Sequence, residues 1–305
     1  MSEQPPPPAE VGPVVIGFDG GESGEDALAL GLLFSRALGV PVIVTVVYPA
    51  PAPIGPARVD AEWVADRRRF AEQILDHAGA LPVLGEPAGG DVEYRAVAST
   101  SAAHGLHDVA EQASASLIVV GSHGKGAEHR LFAGSTADRL FSGARCPVGI
   151  APRGLRARTN RELTRIGVAY VDTPEAVAAL DVAARFAARA GASLRLYTVV
   201  AGEAEVLPLF IGRDAERAFY ETAREEFQDA LERAIAGLPP GVQASGEVLT
   251  GEVVELLAEL DEDDIDVLFC GSRGYGPVLR VLLGGVSSRL VRRARSPVVI
   301  VPRGA

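Results

Sequence analysis

The chain has 305 residues, of which 48% are hydrophobic and 23% charged, and its formal net charge is -11 at neutral pH. That length accommodates two domains with their own cores in an ordinary globular composition, and the acidic balance argues against nucleic acid and acidic membranes as partners. Two cysteines, Cys146 and Cys270, are too few for a disulfide framework or a zinc-type cluster, so a reducing cytoplasm is the expected compartment.

Residues 1–12 carry Glu3 and the Pro5–Pro8 run without the basic and apolar segments of a signal peptide, which predicts a disordered tail. Val14–Phe18 then predicts a strand, Ser23–Ala37 a helix and Val42–Val47 a strand. The apolar stretch from Ala27 to Tyr48 is divided by Arg36, Gly39 and Pro41, so no membrane span is expected there. Next come a helix over Ala61–Ala78, a strand over Val92–Ala98, a helix over Ala102–Ala113 and a strand over Leu117–Val120. A helix over Ser135–Ser142 and a strand over Pro147–Ile150 complete the first half. β-Branched runs alternating with Ala/Leu-rich segments predict a parallel sheet with crossover helices. Arg153–Arg165 holds five arginines and reads as a linker whose charge serves solvation. The order then recurs: strands over Arg165–Tyr170, Ser193–Val199, Gln243–Leu249, Asp266–Cys270 and Pro297–Val301, with a long helix over Arg213–Ile235.

This recurrence is a duplication. When Gly121-Ser-His-Gly124 is laid over Gly271-Ser-Arg-Gly274, Gly134 falls on Gly284, Arg139 on Arg289, Pro147 on Pro297, and Pro152-Arg153-Gly154 on Pro302-Arg303-Gly304. A long period repeated once implies tandem domains, since a solenoid needs several short units. The expected organisation is a tail at 1–12, a first domain at 13–154, a linker at 155–163 and a second domain at 164–305. The apolar fifth strands would be exposed edges in isolation, and pairing them would hide both.

An open parallel sheet binds ligands beyond the carboxyl ends of its strands. Directly after the fourth strand stands Gly121-Ser-His-Gly124, followed by nine residues and then Gly134-Ser135 at a helix start. Glycines allow close approach to a phosphate and positive φ, and a helix start adds free N–H groups and the positive end of its dipole. The spacing is neither that of a Walker A loop nor that of a dinucleotide fingerprint. Lys125 is the single lysine of the chain and falls inside this loop, where a phosphate contact and a solvated side chain are both open readings. His123, His129 and Arg130 are further candidate donors. Two histidines without a matched third ligand do not make a metal site, and His104 and His107 read as surface or partly buried helix residues.

Gly-x2-Gly-x9-Gly-Ser after the fourth strand, with Asp19 closing the first, resembles the ATP-binding type of universal stress protein across essentially the whole chain. The resemblance implies two tandem, open, five-stranded parallel-sheet α/β domains of Rossmann-like, adenine nucleotide alpha hydrolase-like fold. It implies ATP as ligand, with accompanying Mg2+ left open. Asp19 would lie near the base, where it could accept a hydrogen bond from the exocyclic amine; the alternative is an Asx turn with Gly20 and Gly21. Val46, late in the second strand, would read the base through its backbone. Gly121, Gly124, Gly134 and Ser135 would hold ribose and phosphates, with His123, Lys125 and Thr136 beside them.

The second copy keeps Gly271, Gly274 and Gly284, but aligning the first helices puts Val171 in the place of Asp19, and Gly285 stands in the place of Ser135. Ser287 is the nearby candidate hydroxyl. This half is expected to bind ATP weakly or not at all and to serve as a packing partner or a site for another ligand. The family's single-domain members dimerise through the fifth strand, which implies an intrachain pseudo-dimer here and leaves open both pairing with a second chain and an unidentified protein partner. The leading function is an ATP-binding regulatory module of the stress response with slow or absent hydrolysis. An ATPase or nucleotidyl-transfer enzyme lacks a visible base, metal carboxylate pair or Lys-Ser/Thr magnesium signature. A nucleotide-free interaction scaffold is the third reading.

Overall fold

The computed structural model describes residues 11–50, 61–82, 91–123, 130–158, 162–200, 213–272 and 285–302. β-Branched runs form its strands and the Ala/Leu-rich segments its helices. The first half runs β1 (Val14–Gly17), α1 (Glu22–Leu38), β2 (Val42–Pro49), α2 (Ala61–Ala80), β3 (Val92–Ser99), α3 (Ala102–Gln112), β4 (Leu117–Gly121), α4 (Ser135–Phe141) and β5 (Val148–Ala151). The second runs β6 (Arg165–Ala169), α5 (Pro174–Ala190), β7 (Ser193–Val200), α6 (Arg213–Ala236), β8 (Ala244–Thr250), α7 (Val253–Glu259), β9 (Val267–Gly271), α8 (Gly285–Leu290) and β10 (Val298–Val301). Each strand and helix expected from the sequence is present, with ends moved by at most two residues. The expected tail falls almost wholly outside the described residues.

Local chemistry explains the boundaries. α1 stops at Gly39, whose φ of 63° turns the chain and whose amide donates to Ser35 O. α5 begins with the Thr173 hydroxyl accepting from Ala176 N, has Pro174 at its first position, and stops at Gly191 with φ 68°.

The strands form one ten-stranded sheet in the order β3-β2-β1-β4-β5-β10-β9-β6-β7-β8. Within each half all neighbours are parallel. β5 and β10 run antiparallel, with Val298 opposite Ile150 and Ile300 opposite Val148, so the two apolar edges cover each other as expected. One core layer spans both halves: Phe34 on α1, Phe186 on α5 and Phe269 on β9 pack edge to face with centroids 5.7–6.5 Å apart. Cys270, inside β9, is buried deeply enough to push its thiol up to about 12. Among the described residues no helix is long and apolar enough to cross a membrane.

The arginine-rich connection is more than a solvated linker. Asp26, 1% exposed on α1, accepts from the amides of Gly154 and Arg156, both at 2.9 Å. The Arg156 guanidinium also bridges Asp26, Glu22 and Glu25. A buried carboxylate requires such partners, so the chain leaving β5 is docked onto α1.

Candidate functional site at the carboxyl ends of β1 and β4

In the first half, β1 lies between β2 and β4, so the chain leaves it in one direction and returns on the other side. The crevice at that switch point is where open α/β sheets place ligands. A cleft of about 400 Å³ opens there, lined by residues from β1, β2, β4, α1, α2, α3 and the turn into α4. It gathers Asp19, Val46, Gly121, His123, Gly134, Ser135 and Thr136 from the residues singled out by sequence. Gly124, Lys125 and His129 lie outside the described residues, as do Gly274 and Gly284 of the second copy.

Asp19 adopts the turn that was its alternative reading. Its Oδ1 accepts from Gly21 N and Gly24 N, each at 3.0 Å, so it caps the start of α1. Its other oxygen accepts no hydrogen bond among the described residues, and the side chain is exposed on the cleft wall. The capping and ligand-facing roles are therefore compatible, one per oxygen.

The backbone of β2 turns Val46 and Val47 to different edges. The Phe18 amide donates to Thr45 O on the β1 side of the strand, and Ala50 N donates to Ser99 O on the β3 side. Consecutive residues of a strand turn their backbone groups to opposite edges. Val46 therefore faces β3, while Val47 faces the β1 side beyond Gly17, where β1 has ended. Sequence periodicity could not assign this edge, because it reports side-chain faces only.

The glycines also act differently than expected. Neither Gly121 nor Gly134 has positive φ; Gly134 sits at φ -82° and ψ 176°. A Cβ on Gly121 would lie 1.9 Å from Ser23 O, so glycine is required by the contact of β4 with the start of α1. Gly271 is equivalent, since its Cβ would lie 2.4 Å from Glu175 O. α4 has seven residues, about two turns, so the dipole invoked for it is small.

The two arms of the loop after β4 are tied together and to the other half. Ser122 Oγ accepts from Phe132 N at 2.6 Å, and His123 N donates to Phe132 O at 2.9 Å. This brings Gly121 and Gly134 to one rim. Arg130, a candidate phosphate donor by sequence, instead pairs with Glu259 at 2.7 Å.

Ser23, Thr45, Arg67 and Phe70 are among the cleft residues that escaped the sequence reading. Thr45 is 1% exposed, and its Oγ1 has no hydrogen-bond partner among the described residues, an unusual state for a buried hydroxyl. Phe70 is 58% exposed although it faces the cleft from α2. Arg67, Phe70, Ala71 and Ile74 are spaced to share one helix face, a signal visible in sequence without its destination. Ile74 supplies that destination by packing against Gly20.

The second copy differs at the same places. Tyr170 N donates to Tyr197 O as Phe18 N does to Thr45 O, so a tyrosine 3% exposed stands where the first half has a threonine. Glu175 occupies the place of Ser23 against the glycine of the fourth strand. Ser287 is 6% exposed and donates to Gly271 O at 2.8 Å, so its hydroxyl proton serves the fold and is not turned to a ligand as expected.

A family model described as "Universal stress protein family" matches residues 10–152 and again 162–302. Universal stress protein Rv2319c of Mycobacterium tuberculosis is 31% identical over 297 residues, covering 95% of this chain and 99% of that protein. Universal stress protein Mb2028c of Mycobacterium bovis is 26% identical, covering 94% and 96%. The crystal structure of a universal stress protein from Archaeoglobus fulgidus superposes with a TM-score of 0.63 at 21% identity, covering 96% of this chain and 97% of that one, a likeness of fold.

Proposed function

The chain belongs to the universal stress protein family, and we propose that its N-terminal half binds ATP as a regulatory or signalling module of the stress response, with slow or absent hydrolysis. The observation that carries this reading is the cleft itself, around which lie a carboxylate oxygen, an exposed aromatic ring and, unpaired among the described residues, a strand edge and a buried hydroxyl. Adenine offers the complementary chemistry. The Val47 backbone and the ligand-facing oxygen of Asp19 would meet its polar edge, and the Phe70 ring its face. Thr45 Oγ1 would gain a hydrogen-bond partner. Gly121, Gly134, Ser135 and Thr136 would line the ribose and phosphates, with Lys125 and Gly124 as further candidates. Accompanying Mg2+ would be held through phosphate oxygens and water.

In the second half a valine replaces the carboxylate, Tyr197 the small hydroxyl and Glu175 the neutral Ser23. These differences support one nucleotide site per chain, in the first half.

Calorimetric titration of ATP into the full chain tests this. We expect a stoichiometry of one, with Phe70→Ala weakening affinity by about 1–3 kcal/mol, the usual worth of base stacking, and Asp19→Ala also weakening it. Two equal sites would refute the asymmetry, and absence of binding would favour the scaffold. Rapid multiple turnover would replace this reading with an enzymatic one.

A further inference from the structure

The rim of the cleft at Gly134 and Ser135 is held, through the preceding Ala133, from the other half of the chain. Arg292, which follows α8, donates from Nη2 to Asp138 Oδ2 at 2.8 Å and from Nη1 to Ala133 O at 3.4 Å. It therefore grips the residue before Gly134 and a residue one turn into α4. The same guanidinium lies 5.8 Å from the centroid of the Phe132 ring. The backbone continues the junction, with Leu131 N donating to Ala294 O at 2.8 Å and Ala133 N to Val291 O at 2.9 Å. Every residue from 130 to 133 has a partner in the second half.

We propose that Arg292 is a positioning residue for the phosphate side of the first-half site, so that the second half completes that site without touching the nucleotide; this rests on the ATP reading above. Arg292 and Asp138 are 42% and 40% exposed, so their ion pair contributes little to global stability. Its effect is geometric. A planar guanidinium can engage a carboxylate, a carbonyl and a ring face at once, and lysine cannot reproduce that. Restraining the rim before the ligand arrives removes an ordering cost from binding. The cost falls on contacts made by the rim, whereas the base side of the cleft is built from β1, β2 and α2 of the first half.

The test is calorimetric titration of full-length protein with ATP and, separately, with adenosine, for wild type, Arg292→Ala and Asp138→Asn. Arg292→Ala should weaken ATP binding about tenfold, the size of one lost preorganising restraint, and leave adenosine affinity within about twofold. Asp138→Asn should produce a smaller shift of the same selectivity. Unchanged ATP affinity in Arg292→Ala overturns the proposal, as does an equal loss for both ligands, which would indicate general loosening of the fold. If Arg292→Ala fails to fold, Asp138→Asn decides: ATP-selective weakening supports the role and no weakening refutes it. Wild type that binds adenosine or ATP in neither titration sinks the nucleotide reading and this inference with it. Wild-type ATP affinity retained in Arg292→Ala, with nucleotide bound by the wild type, sinks the inference alone.

Discussion

Asp19 and Thr173 perform one structural task in the two halves. Each accepts from the third amide of its helix, Gly24 N for Asp19 Oδ1 and Ala176 N for the Thr173 hydroxyl. Capping is thus conserved in effect while the carboxylate is lost, which separates the helix-start role of Asp19 from its ligand-facing one. His107 carries a different kind of consequence. Burial between α3 and α4 lowers its pKa, outweighing the opposing effects of the Arg139 carbonyl, Asp108 and Glu111, while His104 also lowers it. An unfolded histidine titrates near about 6.5, so the folded state binds fewer protons below that pH. The associated stability is full above about 6.5 and is lost as pH falls through the depressed folded value. Urea midpoints at pH 7 and pH 5 should show a smaller acid-induced loss for His107→Gln than for wild type; equal losses would remove His107 from the acid response.

The packing of the first helix on the fourth strand accounts for the glycine that both halves share. Gly121 lies against Ser23 and Gly271 against Glu175, each too close for a Cβ. Gly121→Ala and Gly271→Ala should therefore both destabilise the protein, by roughly 1–3 kcal/mol or more as overpacking does. Measured urea midpoints near wild type for Gly271→Ala would contradict this account. Because the demand is steric, the glycine persists in the second half whatever that half binds. The spacing of glycines announces the fold more directly than it announces a nucleotide. α2 shows the converse case, since the Arg67–Phe70–Ile74 face was legible as a helix face, yet only the contact of Ile74 with Gly20 aims it at the cleft.

The two halves share one sheet, one aromatic cluster and several polar ties. Arg189 on α5 donates to Leu38 O at the end of α1, at 2.6 Å, and the chain after β5 is docked on Asp26. A continuous core implies that neither half opens alone. The only tryptophan, Trp63, lies on α2 of the first half. Its fluorescence should follow the same denaturant transition as far-UV circular dichroism, which reports both halves. Phe269→Ala, in the second half, should shift the two signals together by an amount reflecting about 3–5 kcal/mol. Separate midpoints would show that the halves unfold independently.

Sequence alone determined the duplication, the alternation of strand and helix, the pairing of the apolar fifth strands and the residues that close β1 and β4. These follow from periodicity, turn chemistry and the need to bury exposed edges, all of which are local or compositional. Tertiary structure alone decided that Val47 and not Val46 turns its backbone to the open edge, because strand order determines which neighbour ends first. It also decided that Arg130 and Ser287 serve packing while Ser23, Thr45 and Phe70 line the cleft. Those assignments depend on which distant segments meet, and no local pattern in the chain encodes that meeting.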